Sequence, residues 1–164
     1  MDNKNKIGVL FLLATFLTFG SAFAETAKDV LKQGIECIDK GQYDEAISYF
    51  TRAINDNPND AIAYNNRGLA YSKRPEILRN ISHSYLPDDD YHIRSNYALA
   101  ISDYTKAIEI NPNYAEAYAN RALVYYIKKE YDKSWDDVHK AETLGFKVDH
   151  SFLQNLKNAS GREK

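Results

Sequence analysis

The sequence predicts an all-α chain: a solenoid of three helix–turn–helix units closed by one further helix. Three observations predict it. Residues 42–58 read Gln-Tyr-Asp-Glu-Ala-Ile-Ser-Tyr-Phe-Thr-Arg-Ala-Ile-Asn-Asp-Asn-Pro, and the phrase returns at 96–112 and, worn, at 130–144. A second phrase, residues 61–71, returns at 115–125. Small residues recur at fixed places within each copy. Repetition of this kind marks stacked units, none of which can bury its apolar face alone.

Aligned on Ala46, Ala100 and Ser134, the units run 27–60, 61–114 and 115–148; the first and third have 34 residues and the second has 54. First helices are expected at about 26–39, 61–73 and 115–128, and second helices at about 43–56, 96–110 and 131–144. Pro58 and Pro112 stop the second helices of units 1 and 2, because proline lacks the N–H that would continue them. Asn57, Asn59, Asn111 and Asn113 around the prolines supply turn chemistry. Gly145 is a helix stop. A closing helix follows at about 149–158, capped by Asp149, with Phe152, Leu153 and Leu156 on one face; 159–164 is a tail.

The amino terminus has the layout of an export signal. Lys4 and Lys6 precede an uncharged apolar run at 7–19, and Ala22 and Ala24 form a small-residue cleavage site. Cleavage is expected after Ala24, leaving a domain over 25–158 with no integral membrane segment, periplasmic or secreted; an uncleaved anchor is the alternative. The apolar run is shorter than the ~20 residues a spanning helix needs.

Composition narrows function. The chain has 164 residues, 44% hydrophobic and 27% charged, with formal net charge −2. That balance gives no footprint for a phosphate backbone, so nucleic acid is not an expected partner. The single cysteine, Cys37, falls where a large buried residue recurs and reads as a small core hydrophobe. No nucleophile–base set, phosphate-cradling glycine loop or C-x-x-C is present, so neither an enzyme nor a cofactor is expected.

The extra residues of unit 2 lie at about 74–93, between its helices. Ile77, Leu78, Ile81, Tyr85 and Leu86 are too apolar for a solvated loop and predict a short amphipathic helix. His83, Asp88, Asp89, Asp90 and His92 could in principle ligate a metal, but the spacing of calcium loops and zinc sites is missing. The other reading is that Asp88–Asp90 favour the positive end of the following helix. No metal is expected.

The pattern of small residues resembles the tetratricopeptide repeat. It has Gly34, Gly68 and Ala122 at position 8, Ala46, Ala100 and Ser134 at position 20, and Ala53, Ala107 and Ala141 at position 27. Tyr64 and Tyr118, Tyr71 and Tyr125, Tyr43, Tyr97 and Tyr131, Phe50 and Tyr104 fit its aromatic positions. Val30, Cys37 and Val138 depart from them, as end units do. The resemblance implies a right-handed solenoid whose first helices line a concave groove. In this sequence it places Lys32, Ile35, Asn65, Asn66, Leu69, Lys73, Asn120, Leu123 and Tyr126 there as candidate peptide-binding residues. Lys28, Leu31, Ile38, Asp39, Ile62, Ser72, Glu116, Ala119 and Ile127 complete the lining.

Asn66 and Asn120 occupy the place where family members hold a peptide main chain, although asparagine is also simply common there. Relatives that grip the carboxyl tails of heat-shock chaperones carry Lys, Asn and Arg where this chain has Leu31, Ile35 and Asn120, so that subtype is not expected. The resemblance thus implies a protein-interaction adaptor for a protein, peptide or partner helix, and the amino-terminal layout adds a bacterial exported form. The other readings are a self-associating envelope component, as a homo-oligomer, and a metal or small-ligand site in the insertion.

Overall fold

A computed structural model describes residues 26–81 and 87–162, with side-chain detail over 26–74 and 93–162. The described residues form seven helices and no strand. They are α1 (Ala27–Asp39), α2 (Tyr43–Asp56), α3 (Ala61–Ile81), α4 (Pro87–Ile110), α5 (Ala115–Ile127), α6 (Tyr131–Thr143) and α7 (His150–Ser160). Consecutive helices pack in antiparallel pairs, and each pair stacks on the next. The first helices α1, α3 and α5 also touch in series. The result is a right-handed α-solenoid. The proposed signal at 1–24 lies outside the described residues. Among those described, no helix is long and apolar enough to cross a membrane.

Small residues set the distance between paired helices. A Cβ on Gly34 would lie 2.6 Å from the Phe50 ring, and one on Gly68 would lie 2.9 Å from the Tyr104 ring. Those two aromatics are fully buried between layers, and each contributes about 1.5–3 kcal/mol by leaving water. Unit 3 reaches the same end differently. Ala122 carries the Cβ that the glycines lack, and the residue facing it from position 24 is Val138 instead of an aromatic ring. Trp135 takes up volume one turn earlier, and the Ser134 hydroxyl donates to the Ala122 carbonyl at 2.8 Å. The departure at Val138 is therefore a volume-conserving exchange.

Two partly buried arginine–aspartate pairs, each with a hydrogen bond to the preceding unit, tie the stack together. Arg67 donates from Nε and Nη2 to the Asp103 carboxylate at 2.8 Å each, and from Nη1 to Thr51 Oγ1 at 3.1 Å. Arg121 repeats the arrangement on Asp137 at 2.8 Å and on Thr105 at 2.9 Å. Each arginine thus holds a first helix to its own second helix and to the second helix of the preceding unit. The Asp103 hydrogen bond holds the Arg67 guanidinium above its usual pKa; for Arg121 burial pulls downward, but the bond to Asp137 prevails and raises it. Loss of one partner would leave a buried charge at a cost of about 3–5 kcal/mol, whereas the intact pair is worth far less against an apolar replacement. Its contribution is register.

The termini of the helices follow local chemistry. Thr26 and Asp29 form a reciprocal capping box on α1, and these bonds hold the Asp29 carboxyl below its usual range. Asp60 Oδ1 accepts from Ile62 and Ala63 at the start of α3. Asn57 and Asn111 each accept from the N–H two residues on, at 3.2 and 3.1 Å. Asp149 caps α7, which covers unit 3 through buried Leu156.

The insertion is not a separate short helix between the pair, and α3 does not end at 73 nor α4 start at 96. Instead α3 continues to Ile81 and α4 begins at Pro87, so the inserted residues mostly lengthen the hairpin of unit 2. Glu76, Leu78 and Arg79 are good helix formers, and α3 continues past Pro75 at the loss of a main-chain bond. Pro87 opens α4 at the position where its missing N–H is not needed, and residues 88–90 fall in that helix's first turn.

Between paired helices, Gly41 in unit 1 and Lys129 in unit 3 occupy the same repeat position, with φ of 72° and 62°. The left-handed conformation suits glycine and costs a lysine about 1 kcal/mol. Lys129 is exposed. Lys129→Gly is expected to stabilise the chain by about 0.5–1 kcal/mol in urea denaturation; a loss of stability would mean that the lysine is not strained there.

Candidate functional site

The face made by α1, α3 and α5 carries a row of aliphatic side chains at equivalent repeat positions. Ile35 and Leu123 are 42% and 47% exposed, and Leu69 between them is half-buried. Ile62 and Ile127 on the same helices are 51% and 44% exposed. Only one other large hydrophobe among the described residues is comparably exposed, Leu99 on α4. Apolar area of this kind, concentrated on one face, is what a monomeric surface ordinarily avoids.

The polar residues of that face divide into two sorts. Asn66 is half-buried and donates from Nδ2 to the Ile62 carbonyl at 3.0 Å, one helical turn back. Asn120 donates from Nδ2 to Asn65 Oδ1 at 3.1 Å, which joins α5 to α3 across the floor of the face. Asn65 itself is 1% exposed. This candidate groove residue, at position 5 of unit 2, is therefore buried in the stack, where its amide oxygen accepts from Asn120. Its own Nδ2 makes no hydrogen bond of ordinary geometry. The Tyr114 hydroxyl is near enough that Asn65 slightly favours its ionised form. Burial dominates, and with Glu116 it pushes that phenol up to about 12.

The remaining candidates are placed as follows. Lys32 is exposed and pairs with Glu36 at 3.8 Å, and Lys73 is exposed on α3. Tyr126 is half-buried and largely committed to the closing helix, with its ring edge-on to Phe152 at 5.6 Å. Ile38 is buried at 8% and belongs to the core. Ser72 is bonded to the Leu69 carbonyl at 2.9 Å and to the Tyr104 hydroxyl at 3.3 Å.

Among the described residues, no group of three His, Cys, Asp or Glu side chains could hold a metal ion. The side chains of His83, Asp88, Asp89, Asp90 and His92 lie outside the described set. Cys37 is half-buried and packs beside Ile38 and Phe50.

Sequence reasoning missed the two arginine pairs. The signal was present: Arg67 and Arg121 share position 7, Asp103 and Asp137 share position 23, and Thr51 and Thr105 share position 25.

Comparison with known proteins follows the same lines. The family described as TPR repeat matches residues 34–74 and 89–128. Hsp70-Hsp90 organizing protein 3 of Arabidopsis thaliana is 27% identical over 110 residues, 67% of this chain and 16% of that protein. RNA polymerase II-associated protein 3 of Xenopus tropicalis is 30% identical over 122 residues, 73% of this chain and 16% of that protein. The chain thus corresponds to 16% of the length of these curated relatives. In structure, it matches the first TPR of Spaghetti (RPAP3) bound to HSP90 peptide SRMEEVD. The TM-score is 0.63 at 21% identity, over 84% of this chain and 93% of that one.

The Asn65–Asn120 bond gives a direct check on the floor of this face. Asn65→Ala is expected to destabilise the chain by about 1–3 kcal/mol, from one lost hydrogen bond and the space left behind. Urea denaturation reads it; an unchanged midpoint would mean that the bond does not hold α3 to α5.

Proposed function

The chain belongs to the tetratricopeptide-repeat family, and from that premise we propose that it is a protein-interaction adaptor whose α1–α3–α5 face takes a peptide or partner helix. The observation that carries the reading is the juxtaposition on one face of Ile35, Leu69 and Leu123 with Asn66 and Asn120. The aliphatic row offers apolar contact. The amides offer pairing with a main-chain peptide group whatever side chains flank it. The role proposed is binding without chemistry. The neighbour solved with an HSP90 peptide lends support, since its helices superpose on these.

The same reading places the adaptor outside the cytoplasm of a bacterial cell. Support comes from the basic, apolar and small-residue order of residues 1–24. The relatives described above come from a plant and a frog and lend no support to the bacterial part of this reading.

Affinity capture from the native host's envelope tests both parts. The Asn66→Ala/Asn120→Ala double variant is expected to lose its partner at least tenfold, or about 1.4 kcal/mol, with helical circular dichroism unchanged, whereas Asn65→Ala, which breaks the same α3–α5 bond, keeps the partner. The captured chain is expected to begin at Glu25. Undiminished capture by the double variant would contradict the face as the working surface; a chain still beginning at Met1 would contradict cleavage.

A further inference from the structure

The aliphatic row reads the same from either side of unit 2, and that bears on what covers it in the free protein. We propose that the α1–α3–α5 face pairs with the same face of a second copy of this chain. The two-fold axis runs along α3 and sets α1 of each copy against α5 of the other. The pairing rests on the exposed row and its charges, not on the peptide reading. A copy held this way has no open face until a partner displaces the other.

The repeat fixes which residues meet. Units 1 and 3 flank unit 2, so this axis joins residues at the same repeat position in units 1 and 3, and joins residues of unit 2 to their own counterparts. At position 9, Ile35 meets Leu123, which are 42% and 47% exposed. At position 2, Ile62 meets Ile62, which is 51% exposed. The other two-fold in the plane of the face runs across the helices. It would reverse each helix and lay Ile35 on Lys32 and Leu69 on Asn66. The apolar row therefore selects the axis along α3.

The charges fit the same axis. At position 2 the outer helices carry Lys28 and Glu116, both exposed. The pairing sets each lysine beside the other copy's glutamate, twice over, at the rim. Position 13 brings together two copies of Asp39 and of Lys73, so its acids and bases balance. Lys32 is held by Glu36 at 3.8 Å and faces uncharged Asn120. Self-complementary charge around an apolar centre is what an isologous interface needs. The end helices offer no comparable apolar row: α1 exposes Asp29, Lys32 and Glu36 along one stripe, and α7 exposes Gln154, Asn155 and Asn158.

Sedimentation of the purified full chain over a concentration series tests the pairing, beside variants at positions that are all exposed, so the fold is not at stake. The unaltered chain is expected to pass from monomer to dimer as concentration rises. Leu123→Glu should weaken the dimer at least about tenfold, because its carboxylate loses water against Ile35. Lys28→Glu and Glu116→Lys should each weaken it at least about threefold by setting like charges together, and the two combined in one chain should restore it. In a Cys37→Ser background, a short thiol cross-linker should join Ile35→Cys to Leu123→Cys when the two variants are mixed, and Ile62→Cys to itself. A monomer at every concentration would overturn the proposal and leave the partner reading standing. A dimer indifferent to all of these charge and leucine variants would overturn it too, by placing self-association elsewhere. Ile35→Cys joined to itself in preference to Leu123→Cys would overturn the axis and with it the pairing.

Discussion

Two helices of a unit can approach closely only where one of them has almost no side chain at the crossing, and the whole array depends on that. At Gly34 and Gly68 the facing ring stands where a Cβ would be, 2.6 and 2.9 Å away. At Ala122 the facing residue shrinks to Val138 instead. The approach lets Phe50 and Tyr104 fill the space between layers completely. It also fixes which side of each first helix is used up in packing. The opposite side is left open, and it repeats from α1 to α3 to α5.

Stacking of one unit on the next requires a second constraint, because apolar layers alone permit sliding. The arginine pairs supply it. Each guanidinium satisfies an aspartate of its own unit and a threonine of the unit before, in a half-buried site where partial satisfaction would be costly. The first unit has Gln33 and Tyr49 in the corresponding places, and no unit precedes it among the described residues. At the far end, α7 takes the place of a fourth first helix. Its position 8 is Leu156 instead of a small residue, which suits a helix that covers unit 3 and has no second helix of its own among the described residues. Trp135 Nε1 reaches Ser160 at 3.0 Å and fastens that helix down.

Much of this was legible in the residues. The bounds of α1, α2, α5 and α6 follow from the repeated phrases to within a residue, because period, capping and proline all agree there. Unit 2 was legible only in its inner halves. Among the described residues of the insertion, 74–81 and 87–93 are helical but continuous with α3 and α4, which the sequence did not predict, since Pro75 reads as a stop and the helix passes through it. Of the candidate surface, Ile35 and Leu123 are exposed and Leu69, Asn66 and Asn120 half-buried, whereas Asn65 is buried, because adjacent positions on a helix are about 100° apart and the stacking of α5 on α3 decides which of two neighbouring asparagines is buried. The arginine pairs were legible in principle, as a recurrence of Arg at position 7, Asp at position 23 and Thr at position 25.

The central claim is that the open side of the first helices is the surface that partners occupy. Leu123 on α5 and Leu99 on α4 are exposed to nearly the same degree, 47% and 44%, on different helical layers. A photo-activated cross-linking residue placed at each in turn, in the native host, compares the two faces directly. The account predicts a partner adduct from position 123, repeated from position 35, and none from position 99. An adduct from position 99 alone would contradict it.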